Sequence, residues 1–411
     1  MKPISRAAQN GLPEYELLIC CARSCLEPEM AGRIVALVRQ GINWDRLIRA
    51  ANHHGLLPLL HSHLSATCPL DVPAPVFDQL REHSQSNSRY NLLLTGELIK
   101  LQTLFQSHNI PMVPFKGPIL AACFYGDIGL RQFGDLDLLV RKQDVIKARE
   151  LLASARYLPR YNLAATQQAI LIEQKCEEPF DRDDNESMVD LHWAVIPARF
   201  SFAPDTDSMW ERLEKASLNG VEFLTVSPED LLILLCVHGA KHAWERLNWI
   251  CDLAELIRAR SSLDWEFVMN IASRNHGERM LFLGLLLAKD LLGAPLPAEV
   301  LQRVRDDSPV KRLAAKVYSN LFRSIGKQIS VPERDLFYLQ AMTRISDRAR
   351  LCLDHIRPTP LEWQMFALPR PLSFLYYLLR PVRVVGKYGA KLLKLFNDKA
   401  VHRRGAEDKR Q

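Results

Sequence analysis

Asp135 and Asp137, separated by a single residue, stand at the head of the apolar run Leu136–Val140, and a third acid, Asp190, lies in the run from Val189 to Val195. Side chains alternate faces along a strand, so Asp135 and Asp137 share one face while Leu136, Leu138 and Val140 enter the opposite layer. Their carboxylates are expected about 7 Å apart along the strand. Asp190 and His192 take one face of the second run, and Val189, Leu191, Trp193 and Val195 the other. Three carboxylates brought together without a cation repel one another. Hard divalent ions such as magnesium take carboxylate oxygens together with substrate phosphates, and a pair of them about 3.5–4 Å apart clamps an attacking and a leaving oxygen. The pattern predicts such a two-ion site on Asp135, Asp137 and Asp190. The plainer alternative makes Asp135 a turn residue, Asp137 a strand-edge acid and Asp190 a salt-bridge partner.

Several basic residues accompany the acids. Lys116-Gly117-Pro118 follows the short apolar segment Met112–Phe115 and opens a predicted helix through Tyr125. A helix start favours anions, which makes Lys116 and Gly117 candidates for holding a phosphate. Arg131, four residues before Asp135, either binds phosphate or pairs with Asp135 or Asp127 and orders the loop, with the ordering role favoured. His238, Lys241, His242 and Glu245 fall at i, i+3, i+4 and i+7, one face of a helix. They follow the wholly apolar Leu231–Val237, so the polar stripe is expected to form a wall of the cleft opposite Asp135 and Asp137. The alternative is a helix interface in which Asp252 orients a histidine. His238-Gly239-Ala240-Lys241-His242 has the HxxxH spacing but lacks the glutamate of a zinc helix, so zinc is not expected.

The elements that must position these groups follow from periodicity. Residues 14–105 read as helices: Tyr15–Cys25, Gly32–Gln40, one begun by Asn43, and a long amphipathic one from about Ser88 to Ser107. Strand-like runs alternate with helices thereafter: Leu136–Val140, a helix over Gln143–Ala155, then strands near Ala169–Cys176 and Met188–Val195. Ser227-Pro228-Glu229-Asp230 combines an N-cap serine, an early proline and first-turn acids, and restores the helical period to about His355. The expected fold is α+β: a small mixed-sheet core flanked by N-terminal and C-terminal helical regions. The division drawn is 1–88 helical, 89–226 α/β core, 227–355 helical, and 356–411 proline-punctuated with a basic helix and tail.

Composition narrows the class. The 411 residues are 48% hydrophobic and 24% charged, which excludes collagen-like and wholly disordered chains. The longest apolar run, Met280–Ala288, is far short of the roughly 18 residues of a membrane span. No apolar leader follows Met1, and the nine cysteines include no CxxC pair; both fit a cytoplasmic protein. Residues 370–411 carry eleven Lys/Arg against three acids, so the net charge of +6 resides in the tail and the remainder sums to −2. Whole-surface attraction to nucleic acid is therefore not expected, and no nucleic-acid-binding module is recognisable. Within 376–396, Lys387, Lys391 and Lys394 share a helical face, and either approach an anionic membrane surface or stay solvated on a docked helix.

The order KG, then RxxGDxDLLV, then VDLHW resembles the uncharacterised nucleotidyltransferase family of the DNA polymerase β-like superfamily, whose hallmark is a glycine turn opening a helix, a DxD or DxE strand and a third acid on a later strand. The likeness extends to NWDRLIRAANHHGLLPLL and HGAKHAWERLNWICDLAEL. Where the superfamily usually has Gly-Ser or Gly-Gly, this chain has Lys116-Gly117-Pro118, with Lys116 available to supply charge. The resemblance implies Mg²⁺, two ions, on Asp135, Asp137 and Asp190. It implies a nucleoside triphosphate as substrate, in contact with Lys116, Gly117, Arg131, His192, His238, Lys241 and His242, Lys241 being nearest the triphosphate. The implied reaction moves a nucleoside monophosphate to an acceptor, a small molecule, sugar or peptide, with release of pyrophosphate. The rival expectation is a binding or scaffold protein that keeps the fold without the activity.

Overall fold

The structure, a computed structural model, describes residues 12–365, 374–378 and 380, apart from 185, 198–199, 201, 203–204, 323–328 and 355–356. The chain forms two units: Met1–Pro159 with Cys176–Asp347, and Arg160–Lys175 with Arg348–Gln411. Nearly all of the stretch expected to approach a membrane, 376–396, lies outside the described residues. No helix among the described residues is long and apolar enough to cross a membrane.

The first unit begins with α1 (Pro13–Cys21), α2 (Pro28–Arg39), α3 (Trp44–His54), α4 (Leu57–Thr67) and α5 (Ala74–Ser107). The Asn43 side chain accepts the Arg46 N–H at 3.0 Å and starts α3, and left-handed Gly55 ends it. α5 begins fourteen residues before the expected Ser88, because its first half is an exposed polar helix with little apolar period; Leu80 is its only buried residue before Asn91.

The sheet runs β1 (Val113–Pro114), β2 (Leu136–Leu139), β5 (Met188–His192), β4 (Glu177–Arg182) and β3 (Tyr157–Pro159) in spatial order. β2 and β5 are parallel and the other neighbours antiparallel, so the sheet is mixed. A helix, α6 (Val145–Ser154), links β2 to β3. With helical regions before and after the sheet, the architecture is the expected α+β one. The strand expected near Ala169–Cys176 is instead the helix Ala165–Gln174, in the second unit, and the true strand starts at Glu177. A four-residue apolar run does not separate helix from strand; here Gln167 reaches back to the Ala164 N–H and its amide donates to the Trp363 carbonyl.

A two-stranded hairpin, β6 (Glu214–Leu218) and β7 (Val221–Thr225), was not expected. Its turn residues Asn219 and Gly220 both have φ in the left-handed region, as a two-residue hairpin requires. It reaches β1 through the Thr225 hydroxyl, which donates to the Pro114 carbonyl at 2.7 Å.

The C-terminal helices of this unit include α7 (Pro228–Lys241), α8 (Leu247–Ala259) and α9 (Glu278–Leu292). Ser227 caps α7 as expected. The helix stops at His242, however, because Ala243 and Trp244 both turn left-handed. Glu245 is thus not on the helix, and the expected stripe ends one position earlier. The fully buried Trp244 indole fills the space over Gly239 and Gly284, where an added Cβ would stand 2.4 and 3.1 Å from the ring.

Glu178, wholly buried on β4, has Arg149 Nη1 3.4 Å from its carboxylate. Burial pushes its carboxyl up to about 7, against the opposing pull of Arg149. A carboxyl whose folded pKa exceeds its unfolded value favours the fold while protonated. Its contribution therefore declines from about pH 4.5 to about pH 7. Urea unfolding across that range should show stability falling by up to about 1.4 kcal/mol per pH unit, and Glu178→Gln should flatten the slope. An unchanged slope in the variant would refute this.

Candidate active site

Parallel pairing of β2 with β5 sets Asp137 directly beside Asp190 and Leu139 beside His192. Residues in register on adjacent strands face the same way, so Asp137, Asp190 and His192 converge. One ligand atom from each lies within 4.8 Å of the other two. Asp135 precedes the strand, half-buried, and is outside that trio.

Asp137 is buried and well furnished with cations. Lys116 Nζ donates to its Oδ1 at 3.2 Å, and His192 Nε2 approaches the same oxygen at 3.1 Å. Burial alone would raise this carboxyl, but Lys116 and His192 hold it well below the usual aspartate range. Asp135 and Asp190 differ. Neither carboxylate has a hydrogen-bond or ion-pair partner among the described residues, and both are pushed up by burial and then by the Asp137 charge, Asp190 to about 6. Lys116 and His192 are reciprocally shifted toward the protonated form: burial opposes the charge, and the neighbouring carboxylates outweigh it.

The turn that delivers Lys116 depends on Gly117. Its φ of +54° is left-handed, and a Cβ would sit 3.1 Å from the Asp135 carbonyl oxygen. The turn thus lies directly against the start of the acid strand. Phe115 adds an edge-on contact to the His192 ring at 5.1 Å between centroids.

The end of α7 closes on the same groups. His238 and His242 lie 4.7 Å apart between ring centroids, each 5.3 Å from Trp249. Burial, followed by the charges of Lys116, His242 and Lys241, keeps His238 neutral; His242 is lowered to about 3, chiefly by burial and Lys241. Lys241, half exposed, places Nζ 3.9 Å from Glu177 Oε1. Glu177 was not anticipated. It pairs across the sheet with His192, and its Oε2 lies 3.4 Å from His192 Nδ1, near enough for charge attraction although that nitrogen has no aligned acceptor.

Arg131 is turned away from the acids. It is buried and makes a two-bond fork to Asp252 on α8, Nε to Oδ1 at 2.7 Å and Nη2 to Oδ2 at 2.8 Å. The Tyr125 hydroxyl donates to the same carboxylate at 2.7 Å. The ordering role weighed for Arg131 is therefore the one the geometry serves, with Asp252 in place of Asp135 or Asp127, and Asp252 bonds no histidine among the described residues. Asn87 and Asn91 of α5 complete the clamp by donating to the carbonyls of Ile128, Gly129 and Arg131.

The donor set suits a hard divalent ion. Two carboxylates without a hydrogen-bond or ion-pair partner among the described residues stand beside a third, and oxygen ligands of this kind are what magnesium takes. His192 contributes a nitrogen that is already bonded to Asp137.

No curated protein matches this chain. A family model described as uncharacterised nucleotidyltransferase matches residues 40–293, a span that takes in the Lys116-Gly117 turn, the acid strand, Asp190 with His192, and the end of α7. With the match extending over more than half of its length, the chain belongs to the uncharacterised nucleotidyltransferase family.

Proposed function

We propose that the protein transfers a nucleoside monophosphate from a nucleoside triphosphate to an acceptor hydroxyl, releasing pyrophosphate, with magnesium held by Asp135, Asp137 and Asp190. The observation that carries this reading is the pair of half-buried, unpartnered carboxylates of Asp135 and Asp190 beside the buried Asp137. Bound magnesium would draw charge from the phosphate oxygens.

The chain's own groups do the rest. Lys116 and His192 fix the Asp137 carboxylate by bonding one oxygen and leave the other free. Lys116, at the glycine turn, and Lys241, at the end of α7, provide positive charge for a polyanion on two sides of the acids. The acceptor oxygen forms its bond to the α-phosphorus as the bond to the departing pyrophosphate breaks. The hydroxyl proton passes to Asp190, which no donor among the described residues occupies. Neutral His238 and His242 with Trp249 form a wall that keeps bulk water from one side.

The test is a thermal or denaturant shift with a non-hydrolysable triphosphate. At 100 times its Kd the ligand should add about 2.7 kcal/mol in the presence of magnesium and little in its absence. Lys241→Ala should weaken triphosphate binding by about tenfold, the value of a charge-assisted contact, and leave nucleoside binding unchanged. Equal losses for both ligands would remove Lys241 from the phosphate site. Metal-independent behaviour would overturn the reading as a whole.

A further inference from the structure

Beside the acids lies a cavity of about 450 Å³, within the size range of small-molecule sites. Its walls come from α3, the start of α4, α5, the loop ahead of Asp135 and the segment that opens α8. Asn52, Asn87, Tyr90, Gln132, Asn248 and Arg246 give it its polar character, and Leu57, Pro58 and Phe133 give it an apolar face. Among the described residues, no aspartate or glutamate lines it.

The cavity adjoins the reaction centre. Its lining includes Gly134, the residue immediately before Asp135, and the Tyr90 hydroxyl donates to the Gly134 carbonyl at 3.2 Å. Two further features indicate that it is built to receive something. Asn248 lines the cavity and is nine-tenths buried, and its side-chain oxygen has no hydrogen-bond partner among the described residues, an arrangement costly to hold unless the site serves a purpose. Left-handed Gly55 permits this: a Cβ there would meet the Asn248 amide at 2.9 Å. Arg246 is exposed at the rim, without a carboxylate partner among the described residues.

Side-chain amides both donate and accept, which matches a hydroxyl. A guanidinium without a protein anion matches a carboxylate or phosphate. The apolar face suits ring carbons. We infer that this cavity receives the acceptor of the transfer proposed above, and that the acceptor is a polyhydroxylated small molecule bearing one anionic group. The inference rests on that transfer reading for the ligand's role and on the cavity's own chemistry for its class. A volume of this size takes a sugar-sized molecule rather than a peptide or polymer.

Ligand-observed NMR on the full chain, without metal or nucleotide, tests it with glucose 6-phosphate, galacturonate and glucose. At least one anionic sugar should bind about tenfold or more tightly than glucose, and the tighter of the two identifies the anion. Arg246→Ala should bring it to the glucose level while magnesium-dependent ATP binding stays unchanged. The exposed Arg246 side chain has no hydrogen bond or ion pair among the described residues, so the variant is expected to fold. The assignment falls if neither anionic sugar exceeds glucose, if Arg246→Ala leaves sugar binding untouched, or if Arg246→Ala abolishes ATP binding, which would give the cavity to the nucleotide. Sugar binding sensitive to Arg246→Ala in a chain with no magnesium-dependent ATP binding would leave the ligand class standing and overturn the transfer reading instead.

Discussion

Asn in place of Asp137 should reduce metal-dependent nucleotide transfer by at least about 10²–10³-fold, the loss typical when one preorganised charge is taken from a reaction centre. It should also cost stability in the metal-free protein. Repulsion among three acids suggests the opposite, that any one of them is better removed. The structure corrects that expectation for Asp137, whose carboxylate is bonded by Lys116 and His192 and held well below the ordinary aspartate range. A depressed carboxyl adds stability at every pH above that range and loses it on acidification. Weakening a buried hydrogen bond to a charged group costs about 1.5–3 kcal/mol. Asp190→Asn is the contrasting case. Its carboxyl is raised by burial and by Asp137, so neutralising it should leave the metal-free protein at least as stable while also abolishing transfer. Denaturant unfolding of both variants, without metal, checks the pair. A stabilised Asp137→Asn protein would refute the account of which acid the cations hold.

The second large effect is expected at a residue with no proposed contact to substrate. Asp252→Ala leaves the buried Arg131 guanidinium without its two-bond partner and the Tyr125 hydroxyl without its acceptor. Stranding one member of a buried ion pair costs about 3–5 kcal/mol. The loop from Ile128 to Gly134, which carries the chain into Asp135, should loosen with it. The measurement is the shift in unfolding midpoint, with amide exchange at 128–134 as the local readout. A loss below about 1 kcal/mol would show that the clamp is not what orders the loop.

How much of this was legible depended on whether the signal was local. Asp135, Asp137 and Asp190 stood out because alternation along a strand reports facing directly, and the register Asp137 to Asp190 agrees with that facing. Glu177 did not stand out, because its relevance comes from antiparallel pairing with His192, and the apolar run before it suggested that the strand ended there. The helix Ala165–Gln174 is not distinguishable from a strand by pattern, since Ala169–Ile172 has no period to read. Asn219-Gly220 between alternating segments is a local hairpin signal, and the hairpin β6–β7 forms around it. The end of α7 could not be read: nothing in Ala243-Trp244 predicts two left-handed residues, which are selected by the buried fit of Trp244 against Gly239 and Gly284. Arg131 and Asp252 lie 121 residues apart in sequence, beyond the reach of any spacing argument.

That separation has a consequence in time. A chain made at about 5–20 residues per second has Arg131 waiting on the order of ten seconds for Asp252 to be synthesised. Asp137 and its partner His192, 55 residues apart, are both made well before then. The acids and His192 are therefore all synthesised before Asp252, the partner that steadies the loop leading into Asp135. During that interval the loop around Arg131, with Leu130 and Phe133 beside it, lacks its final anchor. Nascent chains stopped short of residue 252 should be protease-sensitive within 128–134, and chains extended beyond α8 should lose that sensitivity.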